Sequence, residues 1–459
     1  VSERAYDVVV AGGGIAGLAA AEIFARSGQR ALLLERNERL CQETSGRHHE
    51  WFHFGSLYSI FPHNQHLRTM VGGIDDLLDY YADFPGLNLR VAPDGQLVTD
   101  ERAGGWLRDE RIEYVVSATN DPDFSLRRAR DARDWLSRLS MGLAWDWVIK
   151  QFVSRHNRFY KHDWRRKPAS RYIPAAGIWD YSRRNIEKFR DPDVRLDPDT
   201  HFKIRGYDRP FNAQSVVSDL VRSLLSAGGE VRTGAEFARY ARSGGELRVE
   251  FSAGDAVVTR KLLIATGKGL RQHLAGRLHV EVVVSPLLVA FPHVCGVNFA
   301  RLTPFMSETV NHLKHPSAQG YYSLIGGGYF AKPDDAQEVQ RAGEALRARA
   351  LQVFPRLEQA QLLDTYFSHK TEITGGFRKR NYQYRIENID EDVYSLLPGK
   401  FSLAFSLAVN AYMQIAGGEP NRRARFDASV DVNGLVAPMA HRRMVAEFVS
   451  ARAARAVPA

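Results

Sequence analysis

Gly12, Gly14 and Gly17 are the first residues whose type and spacing point to chemistry: a Gly-x-Gly-x-x-Gly turn binds a pyrophosphate through bare backbone. Gly12 permits the tight turn, Gly14 lets the phosphates approach, and Gly17 lets the following helix pack closely on the sheet. The free N–H groups and positive dipole end of the helix that follows the turn then meet the anion, with Ile15 and Ala16 of the turn among the expected contacts. About twenty residues further on, Glu35 can accept both hydroxyls of a ribose, and an acid there disfavours a 2′-phosphate. The motif alone leaves FAD and NAD open.

A second concentration lies at His48, His49, His53, His63 and His66, five of the chain's 15 histidines. An imidazole with an ordinary pKa near 6.5 can take an O–H or N–H proton from a substrate as hydride leaves the adjacent carbon, and His53 is the first candidate. Tyr58 could anchor a carboxylate. Metal binding is the rival reading, but the acidic partners of a zinc or iron site are not evident, so no metal is expected. The two cysteines, Cys41 and Cys295, are too far apart in sequence to suggest a disulfide framework or zinc site, and a reducing compartment follows.

The elements that must position these groups are legible. Tyr6-Asp-Val-Val-Val-Ala11 is a buried parallel strand, Leu18 to Arg26 a helix stopped by Ser27-Gly28, and Arg30 to Glu35 a second strand. Phe211 to Leu225 has helical periodicity, and strands follow at Glu230–Thr233, Glu246–Phe251 and Val257–Thr266, the last ending on small residues where backbone crowds a nucleotide. Trp135 to Ile149 reads as an amphipathic helix with a core-facing Trp and Leu stripe. Ser154 to Lys167 mixes cations and aromatics, most simply as a solvated basic face. Later come strands at Val280–Phe291, Tyr321–Ile325 and Asp364–Ile373 and a helix at Asp334–Val353. Lys400 to Asn410 reads as a strand turning into a helix, and Met439 to Ala456 as an Arg-rich helix that caps the sheet, with a membrane surface as the alternative.

With these pieces in place, the chain resembles the D-amino acid oxidase superfamily of FAD-dependent oxidoreductases, which share the glutathione reductase-like FAD fold. The likeness rests on the Gly12–Gly17 turn with Glu35-Arg36, on Glu230-Val-Arg-Thr-Gly-Ala-Glu-Phe237 after a helix, and on Ala265-Thr266-Gly267. Thr44-Ser-Gly-Arg-His-His-Glu-Trp-Phe-His-Phe-Gly-Ser-Leu-Tyr58 looks like the segment that crosses the flavin in the glycerol-3-phosphate and L-2-hydroxyglutarate dehydrogenase branch. The resemblance implies FAD as cofactor, contacted also by Thr44, Ser45, Gly46, Arg47 and His48. A further branch links FAD covalently to a histidine after this turn, which would be His48 or His49. Many relatives fix the substrate carboxylate with an arginine on a strand or loop, and Arg378 in Thr374-Gly-Gly-Phe-Arg378 is the match, with His312 and His369 as lesser pocket candidates. The late glycine-rich turn of the relatives is missing, with Ser406 and Asn410 in its stead; Asn410 is then the expected flavin contact.

The implied fold is α/β, with a discontinuous Rossmann-like FAD-binding domain (1–92, 202–278 and 391–459) and a mixed-sheet α+β substrate domain (93–201 and 279–390). No second nicotinamide unit is found: Ile325-Gly-Gly-Gly328 leads into Tyr329-Phe-Ala-Lys-Pro333 and not a helix. Hydride is therefore expected from the substrate, by oxidation of a C–OH or C–N bond. The reduced cofactor would pass its electrons to oxygen, a quinone or a protein carrier. The rivals are a nicotinamide-driven flavin monooxygenase, disfavoured by the missing late Gly-Asp-Ala motif, and an RNA-associated flavoprotein using the 154–167 segment.

Composition agrees with that class. The 459 residues are 44% hydrophobic, 25% charged and 11% aromatic, which fits a folded chain and excludes disorder, collagen and coiled coil. Lys and Arg number 62 against 53 Asp and Glu, and the net +9 suits a small anionic substrate; nucleic acid is not expected as a partner. No apolar run approaches the roughly 20 residues that span a bilayer, and no signal peptide is recognised. A cytoplasmic location is expected, with peripheral membrane contact as the alternative.

Overall fold

Val8, Val9, Val10 and Ala11 are all fully buried, as an inner parallel strand requires. The computed structural model describes residues 5–60, 64–93, 97–117, 129–140, 143, 187–198, 200–252, 254–274, 276–277, 279–303, 309–373 and 383–456. Arg378, His63, the basic 154–167 segment and most of 141–150 lie outside the described residues.

Strand β1 (Ala5–Ala11) pairs in parallel with β2 (Ala31–Leu34) on one side and β13 (Ala256–Ile264) on the other. Beyond β2 lies β10 (Glu230–Arg232), also parallel. β13 has two partners along its other edge. Its C-terminal half pairs in parallel with β20 (Val393–Leu397), which carries β19 (Arg385–Asp390). Its N-terminal half pairs antiparallel with β12 (Glu246–Phe251), which carries β11 (Phe237–Ser243). A parallel nucleotide-binding sheet thus shares one strand with an antiparallel meander. Alternation sorts the two faces: Val8, Val10 and Leu33 meet α1 (Ile15–Arg26), whereas Val9, Ala11, Leu32 and Leu34 meet Leu247 and Val249 of the meander.

All twelve residues of α1 are buried, including Glu22 and Arg26, whose Oε1 and Nε lie 3.3 Å apart. Ser223 of α3 (Ala213–Ser226) donates to Glu22 at 2.6 Å, tying the two helices together, and α6 (Ala404–Ala416) also packs on α1. α2 (Asn64–Tyr80) lies against α6, and the short α4 (Leu270–His273) follows β13. Gly17 is where α1 approaches the β1 turn. A Cβ there would lie 2.0 Å from the Gly12 carbonyl oxygen, so backbone would have to move. Gly17→Val is therefore expected to cost at least about 1–3 kcal/mol and to release FAD, read as a colourless or insoluble product. A yellow protein of wild-type melting temperature would refute that reading of the turn.

The second sheet has the order β18 (Leu362–Ile373), β14 (Val280–Phe291), β17 (Gly320–Gly327), β16 (Val310–Ser317), β15 (Phe299–Leu302), β6 (Glu113–Ser117), β8 (His201–Arg205) and β7 (Glu187–Lys188). Only β15 and β6 run parallel. Leu288 and Ala290 face α5 (Ala336–Val353), while Leu287, Val289 and Phe291 join the core shared with the first sheet. α7 (Ala440–Ala456) caps this second face, burying Val445 and packing Met444, Phe448 and Val449 against it. Two small pairs complete the strands: β3 (Trp51–Phe52) with β9 (Arg209–Pro210), and β4 (Leu89–Val91) with β5 (Leu97–Thr99).

The architecture is the expected α/β one, with local differences. Phe202–Arg205 belongs to the second sheet and Arg385–Asp390 to the first, across the expected boundaries after 201 and 390, because pairing partners far away in sequence decide membership. Trp135 and Leu136 are exposed rather than core, since periodicity names a face but not what covers it. The strand expected to open at Lys400 lies earlier, at Val393–Leu397, and Phe401–Leu403 is a short 3-10 turn into α6. Ile325–Gly327 sits in an antiparallel strand, not at a nucleotide turn.

Candidate active site

A continuous cleft with about 1880 Å³ of atom-free space, mouth included, runs from the C-terminal ends of β1 and β2 to the second sheet. At its first end, Gly12 has φ +112°, and a Cβ there would lie 2.5 Å from the Ala265 carbonyl oxygen. At Gly14 a Cβ would meet only Ser45 Oγ, at 3.2 Å, so the backbone is open on the cleft side. Ser45 Oγ accepts the Ile15 N–H at 3.0 Å, and the first turn of α1 carries no acid to repel an anion. Glu35 is held on the wall: Oε2 accepts the Gly13 N–H at 2.7 Å, and Oε1 accepts from Asn37 N (2.9 Å) and Nδ2 (2.6 Å). A carboxylate has about four acceptor sites and three are taken, so capacity remains for one ribose hydroxyl.

Ile15, Ala16, Arg36, Thr44, His48, Phe237, Ala265, Thr266 and Gly267 also line the cleft, as expected. Gly17, Gly46 and Arg47 do not. Gly46 serves packing instead, since a Cβ there would lie 2.1 Å from the Cys41 carbonyl oxygen. Several buried polar atoms on the wall have no hydrogen-bond partner within the protein: Thr266 Oγ1, His48 Nε2, His49 Nε2, Asn311 Oδ1, His369 Nδ1 and Thr371 Oγ1. Orphans of this kind are expensive unless a ligand satisfies them, and an amide- and hydroxyl-rich dinucleotide fits them. The residues present therefore fit FAD.

The histidines divide by environment. His48 Nδ1 accepts the Glu50 N–H at 2.9 Å, and burial pushes its pKa down to about 4. His49 is pushed well below the usual range by burial and by the Lys370 ammonium. His53, 7% exposed, lines the cleft with Nδ1 3.2 Å from Asp208 Oδ2. Burial lowers its pKa most, the Asp208 hydrogen bond opposes that shift, and Lys400 adds to it, so the net is a neutral imidazole at neutral pH. Lys370 and Lys400 line the cleft near enough for both to lower the His53 pKa, with Trp51 and Phe401 also on its wall.

Other expected site residues fall elsewhere. Tyr58 is fully buried and absent from the cleft wall, because the 3-10 turn Ser56–Ile60 turns it inward onto Met70 and Leu403, with its ring centroid 5.5 Å from that of His53. Asn410 sits inside α6, where Nδ2 donates to the Ser406 carbonyl at 2.8 Å, and it borders a separate shallow depression. His312 is spent on the Val297 carbonyl and Ser323 Oγ, both at 2.7 Å, so of the lesser pair only His369 reaches the cleft. Among the described residues no three His, Cys, Asp or Glu converge to hold a metal, and no helix is long and apolar enough to cross a membrane.

Sequence reasoning missed Asp208, Lys370, Lys400 and Glu50. Glu50 is fully buried with φ +55°; its carboxylate accepts from Ala213 N (2.7 Å) and Arg442 Nη2 (2.9 Å) and faces His315 and His441. This hub anchors the His48-His49 segment to α3, α7 and the second sheet. Nothing local marks it, although Lys400 follows Pro398-Gly399 at a strand end, where a binding loop is common.

A parallel nucleotide sheet with a glycine turn under a helix N-terminus, and a second sheet closing a cleft over it, define a flavin-dependent oxidoreductase. The family model for FAD dependent oxidoreductases (DAO) matches residues 7–379, and the chain belongs to that family. No curated protein matches the sequence. Among solved structures, the chain is similar to NikD, an unusual amino acid oxidase essential for nikkomycin biosynthesis, at 14% identity and TM-score 0.61, covering 95% of this chain and 98% of that one. It is likewise similar to L-alpha-glycerophosphate oxidase from Mycoplasma pneumoniae with FAD bound, at 14% identity and TM-score 0.56, covering 94% and 98%. Glycine oxidase from Geobacillus kaustophilus gives the same figures.

Proposed function

We propose that this FAD-dependent oxidoreductase oxidises a C–OH or C–N bond of a small anionic molecule. The observation that carries the reading is the neutral His53 imidazole on the cleft wall beside the cations Lys370 and Lys400. Bound FAD supplies the two-electron acceptor that takes hydride from the substrate carbon. His53 Nε2 takes the O–H or N–H proton, the two ammonium groups hold the anionic end, and Trp51 and Phe401 exclude water from the reacting carbon. The structural neighbours named for amino acids and for glycerophosphate support a substrate that carries an anionic group and leave the bond type to experiment. Arg378 remains a proposed second carboxylate ligand.

The test is the visible spectrum of the anaerobic, FAD-loaded protein, recorded with NADH or NADPH and then with panels of amino acids and 2-hydroxy acids. The flavin is expected to stay yellow with nicotinamide and to bleach with one anionic panel, which names the bond. Rapid bleaching by nicotinamide would replace this reading with a monooxygenase. Admitting oxygen or a quinone afterwards identifies the electron acceptor.

A further inference from the structure

Asp208 lies in Gly206–Pro210, between β8 and β9, and reaches His53 because β9 pairs with β3 in the register Phe52↔Arg209. Its carboxylate is fully buried, and its four partners besides His53 are all donors. Oδ1 accepts the N–H groups of Phe54 (2.9 Å) and Ser56 (3.3 Å); Oδ2 accepts from Trp51 Nε1 (3.1 Å) and the Tyr114 hydroxyl (2.6 Å) and lies 3.2 Å from His53 Nδ1. A carboxylate so surrounded is held ionised, and burial alone would have pushed it the other way. An ionised carboxylate only accepts, so the neutral His53 ring must carry its proton on Nδ1. Trp51 stacks on the ring with centroids 4.7 Å apart and Tyr58 meets it edge-on, so a flip exchanging the two nitrogens would have to displace these rings.

We propose that Asp208 is the positioning residue that fixes the Nδ1–H tautomer of His53, so that the Nε2 lone pair faces the cleft. This rests on His53 as the group that takes the substrate proton. With Asp208 in place, the substrate O–H or N–H proton passes to Nε2, the two bonding electrons of the carbon–hydrogen bond leave as hydride, and the product is a C=O or C=N. Asp208 keeps its charge throughout and stabilises the imidazolium so formed.

The test is tautomer-sensitive NMR on FAD-loaded protein labelled with 15N-histidine, the His53 signals being those absent from His53→Gln. The wild type is expected to show Nδ1–H with an unprotonated Nε2; an Nε2–H tautomer in the wild type overturns the proposal without any variant. In Asp208→Asn the new amide donates to Nδ1, so the Nε2–H form should dominate, and bleaching by the panel member that reduces the wild type should slow at least about 100-fold with the flavin spectrum unchanged. Asp208→Glu should restore Nδ1–H and part of the rate, and Tyr114→Phe, which removes a different donor from Asp208, should keep Nδ1–H. If Asp208→Asn retains Nδ1–H, or if Tyr114→Phe shifts the tautomer as far as Asp208→Asn does, the role is merely structural. If the tautomer results hold but His53→Gln bleaches at the wild-type rate, the positioning stands and the proton-acceptor reading of His53 fails on its own.

Discussion

His53→Gln is expected to leave a yellow, FAD-loaded protein that substrate reduces roughly 10²- to 10⁴-fold more slowly, the usual range for losing a positioned base. Glutamine can still donate to Asp208 and roughly fill the space, so folding and flavin binding should survive, but it cannot take a proton. The pH profile gives an independent check. His53 loses its base form only as pH falls through its own pKa, which burial and then Lys400 hold below the ordinary value of about 6.5. The acid limb of wild-type flavin reduction should therefore lie below about pH 6.5. Lys400→Met removes one of the lowering influences and should move that limb upward, and His53→Gln should flatten it. Stopped-flow reduction across pH measures all three, and a glutamine variant as fast as wild type at pH 7.5 would sink the assignment.

Mild acid should destabilise this protein, through histidines that the reaction does not use. His312 and His315 are fully buried, and burial drives their pKa values down to about 3 and about 4. Each is neutral when folded and titrates near 6.5 when unfolded, so below that pH the unfolded chain binds protons that the folded chain does not. Stability is whole above about pH 6.5 and is lost as pH falls below it. At pH 5 each histidine costs about 2 kcal/mol, about 4 together, against the 5–15 kcal/mol typical of a folded domain. His441, buried beside Glu50 and pushed well below its usual range, acts in the same direction. Urea titrations of FAD-saturated protein should show the midpoint falling steeply between pH 7 and 5. His312→Gln, which can keep hydrogen bonds to Val297 and Ser323, should weaken that dependence. A midpoint unchanged at pH 5 would contradict the burial argument.

The covalent alternative at His48 or His49 bears on both experiments. The two rings line the cleft with orphaned Nε2 atoms, so either is open to a bound group, and denaturing the yellow protein and asking whether the flavin stays with the chain decides between the linked and unlinked forms.

How much of this was legible depended on how far apart the interacting residues lie. Gly12, Gly14, Gly17 and Glu35 sit within one strand–helix–strand unit, where a positive φ, a close helix approach and a strand end each demand a residue type at a fixed offset. That unit alone pointed to a dinucleotide site; FAD followed only from the family resemblance that this unit, the Glu230–Phe237 segment and the Ala265–Gly267 strand end carry together. Helices α3, α5 and α7 and strands β14 and β18 followed from periodicity for the same reason, since each period is set by the element's own backbone.

Only the tertiary structure decided which side chains share the cleft. His53 and Asp208 are 155 positions apart and meet through the register of β3 with β9. Glu50 gains its meaning from α3, α7 and the second sheet together, and Lys370 and Lys400 reach one wall from a strand of one sheet and a loop of the other. Tyr58 and Asn410 lie off the cleft wall because a 3-10 turn and a helix interior place them elsewhere, a direction that residue type does not encode. Local backbone chemistry is written in neighbouring residues; proximity across the chain is set by strand pairing and core packing, which one sequence does not spell out.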